Sequence, residues 1–383
     1  MFLYIAVQFL VCAWVFGQVT AFAAKLGCSR GVQYAVTAFF ALDPIWGAFI
    51  QTQVKDTLYT GLFVLFVLKT ADLLLFPQEW QGNRPRLTAY AVLGVLCCLL
   101  RKNGLYAVVP MLLASAFVVS EKRLRRPVLA VLLAVCIGSF GFDTFTEKVL
   151  DIPAGSVGEA LSVPMQQTAR YIRDYGNEVT DEERAAIEKV LDYDAIAQSY
   201  MPELSDGVKQ YYKNPGKGDL ARYMLVWAKM LLKHPVCYFE ATHANSHGYY
   251  TITKCRAIND YYTFNNDICM EMSEMNVHYL DKSGYLRYAF VQALSAFEKL
   301  PLVGLTTSIG FMAWLTAVLG LWLARCKAKP VLPVFIGLGI FWLTCIASPV
   351  NDCMRYFLPV AGCLPLVFCL AAVFSRENSE ITV

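Results

Sequence analysis

Long apolar runs, separated by short charged loops, constrain this chain more than any other feature. A helix crossing a bilayer core needs about 20 apolar residues at 1.5 Å rise each. Nine stretches approach that ruler: roughly 1 to 24, 31 to 50, 54 to 75, 87 to 100, 105 to 120, 127 to 146, 303 to 324, 331 to 347 and 355 to 374. The fourth and fifth are short and flank Arg101-Lys102-Asn103-Gly104, where Asn-Gly marks a turn. The first lacks the basic n-region and small-residue cleavage site of a signal peptide. Only 16% of the 383 residues are charged, against about 25% in an ordinary soluble domain. So little polar surface cannot coat a water-soluble globule, which excludes a soluble enzyme, a disordered chain and a nucleic-acid binder. The expected fold class is an all-α polytopic membrane protein whose first partner is the lipid bilayer.

Between the sixth and seventh runs, residues 147 to 302 hold 21 of the 30 acidic and 16 of the 33 basic residues, so this stretch faces water. It reads as mainly helical. Thr180 followed by Glu183 is a capping box opening a helix through Leu191, and LARYMLVWAKMLLK at 220 to 233 is amphipathic and ends at His234-Pro235. The expected organisation is a six-span bundle over 1–146, an extracytoplasmic domain over 147–302, a three-span bundle over 303–374 and a cytoplasmic tail over 375–383.

Orientation follows from the short loops. Grouping the loops at 25 to 30, 76 to 86, 121 to 126 and 325 to 330 with the C-terminal tail collects twelve cations; the opposite loops hold only Lys55, Arg101, Lys102 and Arg355. The positive-inside rule then places the N-terminus and large domain outside and the C-terminus inside a multi-pass cell-membrane protein.

Those four outer cations carry the functional expectation. Each sits at the mouth of a span beside polar companions: Lys55 with Asp56, Arg101 and Lys102 with Asn103, Arg355 with Asn351 and Asp352. Ionisable groups at membrane depth cost about 2.5–3.5 kcal/mol each on insertion scales, although helix-end anchors cost less by snorkelling. Three such loops suggest a cavity where Lys and Arg neutralise a phosphate while a carboxylate, Asp56 or Asp352, moves a proton or binds a divalent cation. A lipid-linked phosphosugar fits that chemistry, its polyprenyl tail remaining in the bilayer.

Other constellations are weaker. Gln167 and Arg170, with Gln166, lie about one helical turn apart and either reach toward a sugar or phosphate or form a solvated face. His243 and His247 have i,i+4 metal spacing without an obvious third ligand. Asp143 either lines the cavity or belongs to a helix end, and Lys69 with Asp72 suggests a local ion pair. Most of the thirteen cysteines lie in apolar runs as small hydrophobes; Cys255 and Cys269 are candidates for a disulfide in an oxidising compartment.

The many spans, the acidic loop after a Pro-bearing span (Asp43-Pro44 ahead of Val54-Lys55-Asp56) and the outer turn RKNG together resemble the GT-C superfamily of polyprenyl-phosphate-sugar glycosyltransferases, and distantly its protein mannosyltransferases. The strings LSVPMQQTARYI, TDEERAAIEKVL, YMPELSDGVK and HPVCYFEATHANSHGYY resemble a bacterial membrane family of unknown function that is itself GT-C-like. The likeness covers roughly residues 40 to 360. It implies that Asp56 matches the acidic residue of the second outer loop, part of a donor-phosphate or metal site for magnesium or manganese. It also implies that Arg101 or Lys102 binds the lipid phosphate. GT-C enzymes start inside the cell and carry a catalytic acid in the first outer loop, whereas the first acidic residue here is Asp43. The expectation is therefore that a span and a loop are missing upstream. A transporter or flippase of an anionic lipid-linked glycan, or an inactive membrane scaffold, would use the same cations without a base.

Overall fold

The computed structural model describes residues 2–152, 155–252 and 283–381; the suggested Cys255–Cys269 bridge lies outside them. The described residues are helical, with isolated bridges in place of any strand. They group into two compact units: Met1–Phe140, Thr251–Phe341 and Met354–Val383 form one, and Gly141–Tyr250 with Trp342–Cys353 the other.

Five helices among the described residues are long and apolar enough to cross a membrane: Phe2–Lys25, Lys55–Leu75, Lys122–Lys148, Lys329–Ile346 and Met354–Arg376. Gly104–Val118 and Ile309–Arg325 are shorter apolar helices. Lys55–Leu75 and Met354–Arg376 are the inner pair, each with 78% of its apolar window buried, against 28% for Phe2–Lys25 and 22% for Lys122–Lys148. The outer helices expose Phe2, Leu10, Trp14 and Leu133, an apolar surface that suits lipid and not water. Gly362 lets the inner pair approach, because a Cβ there would stand 2.7 Å from a Val64 methyl. Thr70 supplies polar glue, its hydroxyl 2.6 Å from that of Tyr90.

Two sequence expectations change. The stretch 31 to 50 is not one continuous helix but two, Arg30–Leu42 and Pro44–Ile50. Proline disfavours helical backbone in the residue before it, so Asp43 leaves the helix at ψ 125 and accepts the Ile45 amide at 3.0 Å as an N-cap. The local Lys69–Asp72 pair is also replaced. Asp72 is taken by Lys25 at 2.7 Å, by Arg86 and by the Trp80 indole N–H at 3.0 Å.

In the second unit the capping box forms as expected. The Glu183 carboxylate accepts the Thr180 amide at 3.0 Å and the Thr180 hydroxyl accepts the Glu183 amide at 3.3 Å. The helix they open, Asp181–Glu188, stops short of Leu191. Lys217–Lys233 forms the amphipathic helix and stops at His234-Pro235. Its buried face joins Tyr171, Ile187, Ile196 and Tyr238 in one core.

Candidate functional site

Asp56 occupies the first turn of the Lys55–Leu75 helix, where a carboxylate favours the positive end of the helix dipole. Arg101 terminates the Arg84–Leu100 helix with extended backbone (φ −145, ψ 116), and the Arg101–Gly104 turn closes with the Gly104 amide on the Arg101 carbonyl at 2.8 Å. Only glycine fits at 104: a Cβ would stand 2.8 Å from the Cys97 carbonyl and 3.0 Å from Tyr59 Oη. Arg355 lies in the first turn of the Met354–Ile381 helix.

These three segments, distant in sequence, meet at one carboxylate. Arg101 Nη1 is 3.1 Å from Asp56 Oδ1, and Arg355 Nε is 3.6 Å from Oδ2. The Asp56 and Arg101 side chains are nearly buried, at 10% and 11% exposure, while Arg355 is half-buried at 35%. Aromatic rings enclose them. The Arg101 guanidinium is 5.9, 5.5 and 5.0 Å from the ring centres of Tyr59, Phe341 and Tyr356, within cation–π range, and Arg355 Nη2 donates to the Tyr356 hydroxyl at 3.2 Å. Tyr59 is fully buried, and its hydroxyl has no hydrogen-bond partner among the described residues. Lys55 and Lys102 are exposed beside this cluster in the sequence, and Asn103 is half-buried. Tyr59, Phe341 and Tyr356 were missed from sequence; only the adjacency of Tyr356 to Arg355 and the i+3 spacing of Tyr59 from Asp56 hinted at them.

The remaining predicted residues fall in the second unit. Asn351 is buried and bridges backbone: its side-chain carbonyl accepts the Gly248 amide at 2.9 Å, and its own amide donates to the Glu203 carbonyl at 2.9 Å. Asp352 has left-handed backbone (φ 52) and packs on Gly248, where a Cβ would stand 2.8 Å from its Cα. The Tyr249 hydroxyl donates to the Val350 carbonyl at 2.9 Å, and the Asn245 amide group donates to the Ser348 carbonyl at 2.8 Å. The string HANSHGYY thus clamps the loop SPVNDC. Gln167 and Arg170 share a helix but not an environment. Gln167 accepts the Trp227 indole N–H at 2.9 Å and donates to the Thr242 hydroxyl at 2.8 Å, whereas Arg170 pairs with Glu240 and Asp174. Asp143 is half-buried in the last turns of the Arg125–Lys148 helix.

No group of three His, Cys, Asp or Glu side chains gathers as a metal site among the described residues. His243 and His247 stand with ring centres 5.6 Å apart; His243 Nδ1 meets the Tyr250 hydroxyl at 2.8 Å, and His247 lies 3.2 Å from the Asn351 side-chain amide. At Asp56 one carboxylate faces two guanidinium groups. Magnesium and manganese seek several oxygen ligands. That donor set does not fit such a cation.

Comparison with characterised proteins and with solved structures returned no match. A family model, described as a family of unknown function (DUF6020), matches residues 1–382. A chain of apolar helices whose distant loops bring two arginines to one buried carboxylate thus belongs to the DUF6020 family.

Proposed function

We propose that the Asp56–Arg101–Arg355 cluster binds the phosphate of a polyprenyl-phosphate-linked sugar, and that the chain is a GT-C-like glycosyltransferase acting on a cell-envelope glycan, lipid or protein. The topology proposed with it has nine spans, the N-terminus and large domain outside the cytoplasm, and the C-terminus within. The observation that carries the reading is the convergence of Arg101 and Arg355 on Asp56 at 3.1 and 3.6 Å. Arg101 Nη1 is buried and has no hydrogen-bond partner among the described residues, and a guanidinium fork matches phosphate geometry. The aromatic walls lower the local dielectric, which strengthens that attraction.

The chemistry follows from competition for the same donors. In the resting protein the two arginines hold Asp56; an arriving phosphate takes over their N–H groups and releases the carboxylate oxygens. Asp56 then accepts the proton of the acceptor hydroxyl as its oxygen bonds to the anomeric carbon. The bond from that carbon to the phosphate oxygen breaks, and Arg101 and Arg355 stabilise the charge developing on the departing polyprenyl phosphate. The buried Tyr59 hydroxyl, beside Arg101, supplies a further donor to the bound headgroup.

Transfer from radiolabelled polyprenyl-phosphate hexoses to an envelope extract tests this in proteoliposomes. Arg101→Ala is expected to lose donor binding, and Asp56→Asn to keep binding while losing product. Translocation of the label without any glycosidic product would overturn transfer in favour of a flippase that uses the same cations. Product formation unchanged in both variants would remove the cluster from the reaction.

A further inference from the structure

A second cationic feature lies in the same unit, away from Asp56. Among the described residues, and apart from those near helix ends or in loops, one lysine, Lys69, falls inside a helix long and apolar enough to span a membrane, Lys55–Leu75. It lines a cavity of about 870 Å³ together with Trp14, Leu65, Arg84, Val92 and Leu96. That volume suits a drug-sized or lipidic ligand. Trp14, Val92 and Leu96 are exposed on the apolar surface of the bundle, so the cavity opens toward lipid.

The charges around it do not balance. Asp72 and Glu79, the carboxylates of this corner, are both held by Lys25 and Arg86. Among the described residues no carboxylate lies within ion-pair distance of Lys69 or Arg84. Four cations thus share two carboxylates; Lys69 feels Asp72 only at longer range, and Lys69 and Arg84, which line the cavity without a close ion pair, form its surplus. Arg86 also stacks on Trp80, 4.4 Å from the ring, which fixes the cationic wall.

We propose that this cavity is a binding site for an anionic phospholipid, with Lys69 and Arg84 on the headgroup phosphate and an acyl chain against Trp14, Val92 and Leu96. A half-buried ammonium within a span calls for an anion, and basic pockets between spanning helices recognise anionic headgroups. The apolar, lipid-facing mouth selects a lipid over a soluble phosphate. The site does not depend on the glycosyltransferase reading, because it shares no residue with the Asp56 cluster.

Native mass spectrometry of the detergent-purified full chain tests the proposal, titrating dioleoyl phosphatidylglycerol, dioleoyl phosphatidylcholine or inorganic phosphate. Phosphatidylglycerol is expected to bind more tightly than phosphatidylcholine of the same chains. Lys69→Met and Arg84→Gln should each weaken it about fivefold, the effect of roughly 1 kcal/mol per cation, and Lys69→Arg should restore it. Arg84 is exposed, so its variant keeps the test open if Lys69→Met fails to fold. Equal binding of the two lipids, unchanged affinity in Arg84→Gln, or displacement of phosphatidylglycerol by millimolar phosphate would each overturn the proposal.

Discussion

Replacing Asp56 with asparagine preserves side-chain volume and removes one charge from the centre of a cluster of three. The Arg101 side chain is 11% exposed and Arg355 35%, so the variant leaves the nearly buried Arg101 guanidinium without its carboxylate and beside a second, half-buried cation. Removing one partner of a buried pair costs about 3–5 kcal/mol, because the remaining charge stays desolvated. At roughly 2 °C per kcal/mol for a chain of this size, the apparent melting temperature in detergent should fall by about 6–10 °C. The direction of rescue is more telling than the fall. Asp56→Asn with Arg101→Met removes a positive and a negative charge together and should melt closer to the parent than Asp56→Asn alone, a coupling that a double-mutant cycle measures. An added polyprenyl phosphate should raise the melting temperature of Asp56→Asn more than that of the parent, because its phosphate replaces the lost carboxylate. If Asp56→Asn melts within 2 °C or so of the parent, a shift corresponding to about 1 kcal/mol, the cluster is hydrated and the reasoning fails. Equal ligand shifts in the two proteins would refute the idea that phosphate and Asp56 compete for the same arginines.

Asp72→Asn should also be severe, about 3–5 kcal/mol, since this 3%-exposed carboxylate serves Lys25, Arg86 and the Trp80 indole together; thermal unfolding checks it, and a neutral result would mean the three partners find water instead. Gly248→Ala should destabilise by about 1–3 kcal/mol through overpacking, because the new methyl would stand 2.8 Å from the Asp352 Cα; faster limited proteolysis in the loop over 347–353, after the Leu332–Ile346 helix, is the readout. Burial by itself raises the Glu183 carboxyl, but the Lys233 ammonium at 2.6 Å and the Thr180 amide outweigh it and hold it below the usual range. A depressed folded value means the stabilisation is complete above the unfolded carboxyl pKa, about 4.3, and is lost as pH falls through the lower folded value. Glu183→Gln should therefore lower the melting temperature at pH 7 and flatten its decline in acid, and an unchanged acid profile would count against the pair.

Local pattern made part of this architecture legible in the amino-acid sequence. The helical membrane class follows from apolar run length. The capping box at Thr180 and Glu183, the stop at His234-Pro235 and the Arg101–Gly104 turn follow from residue types acting within a few positions of one another. The RKNG turn and the cations of the sparsely charged short loops pointed to Asp56, Arg101 and Arg355, but sequence could not say that they meet, nor that Asn351 would be absorbed into backbone bonds under Gly248. Tertiary structure decided every choice of partner. Lys69 is three residues from Asp72, yet Lys25 and Arg86 arrive from other segments and take that carboxylate. The reason is that helix formation and capping are settled over one or two turns of chain, whereas an ion pair in a low-dielectric interior is settled by which distant segments packing brings to the same few ångströms.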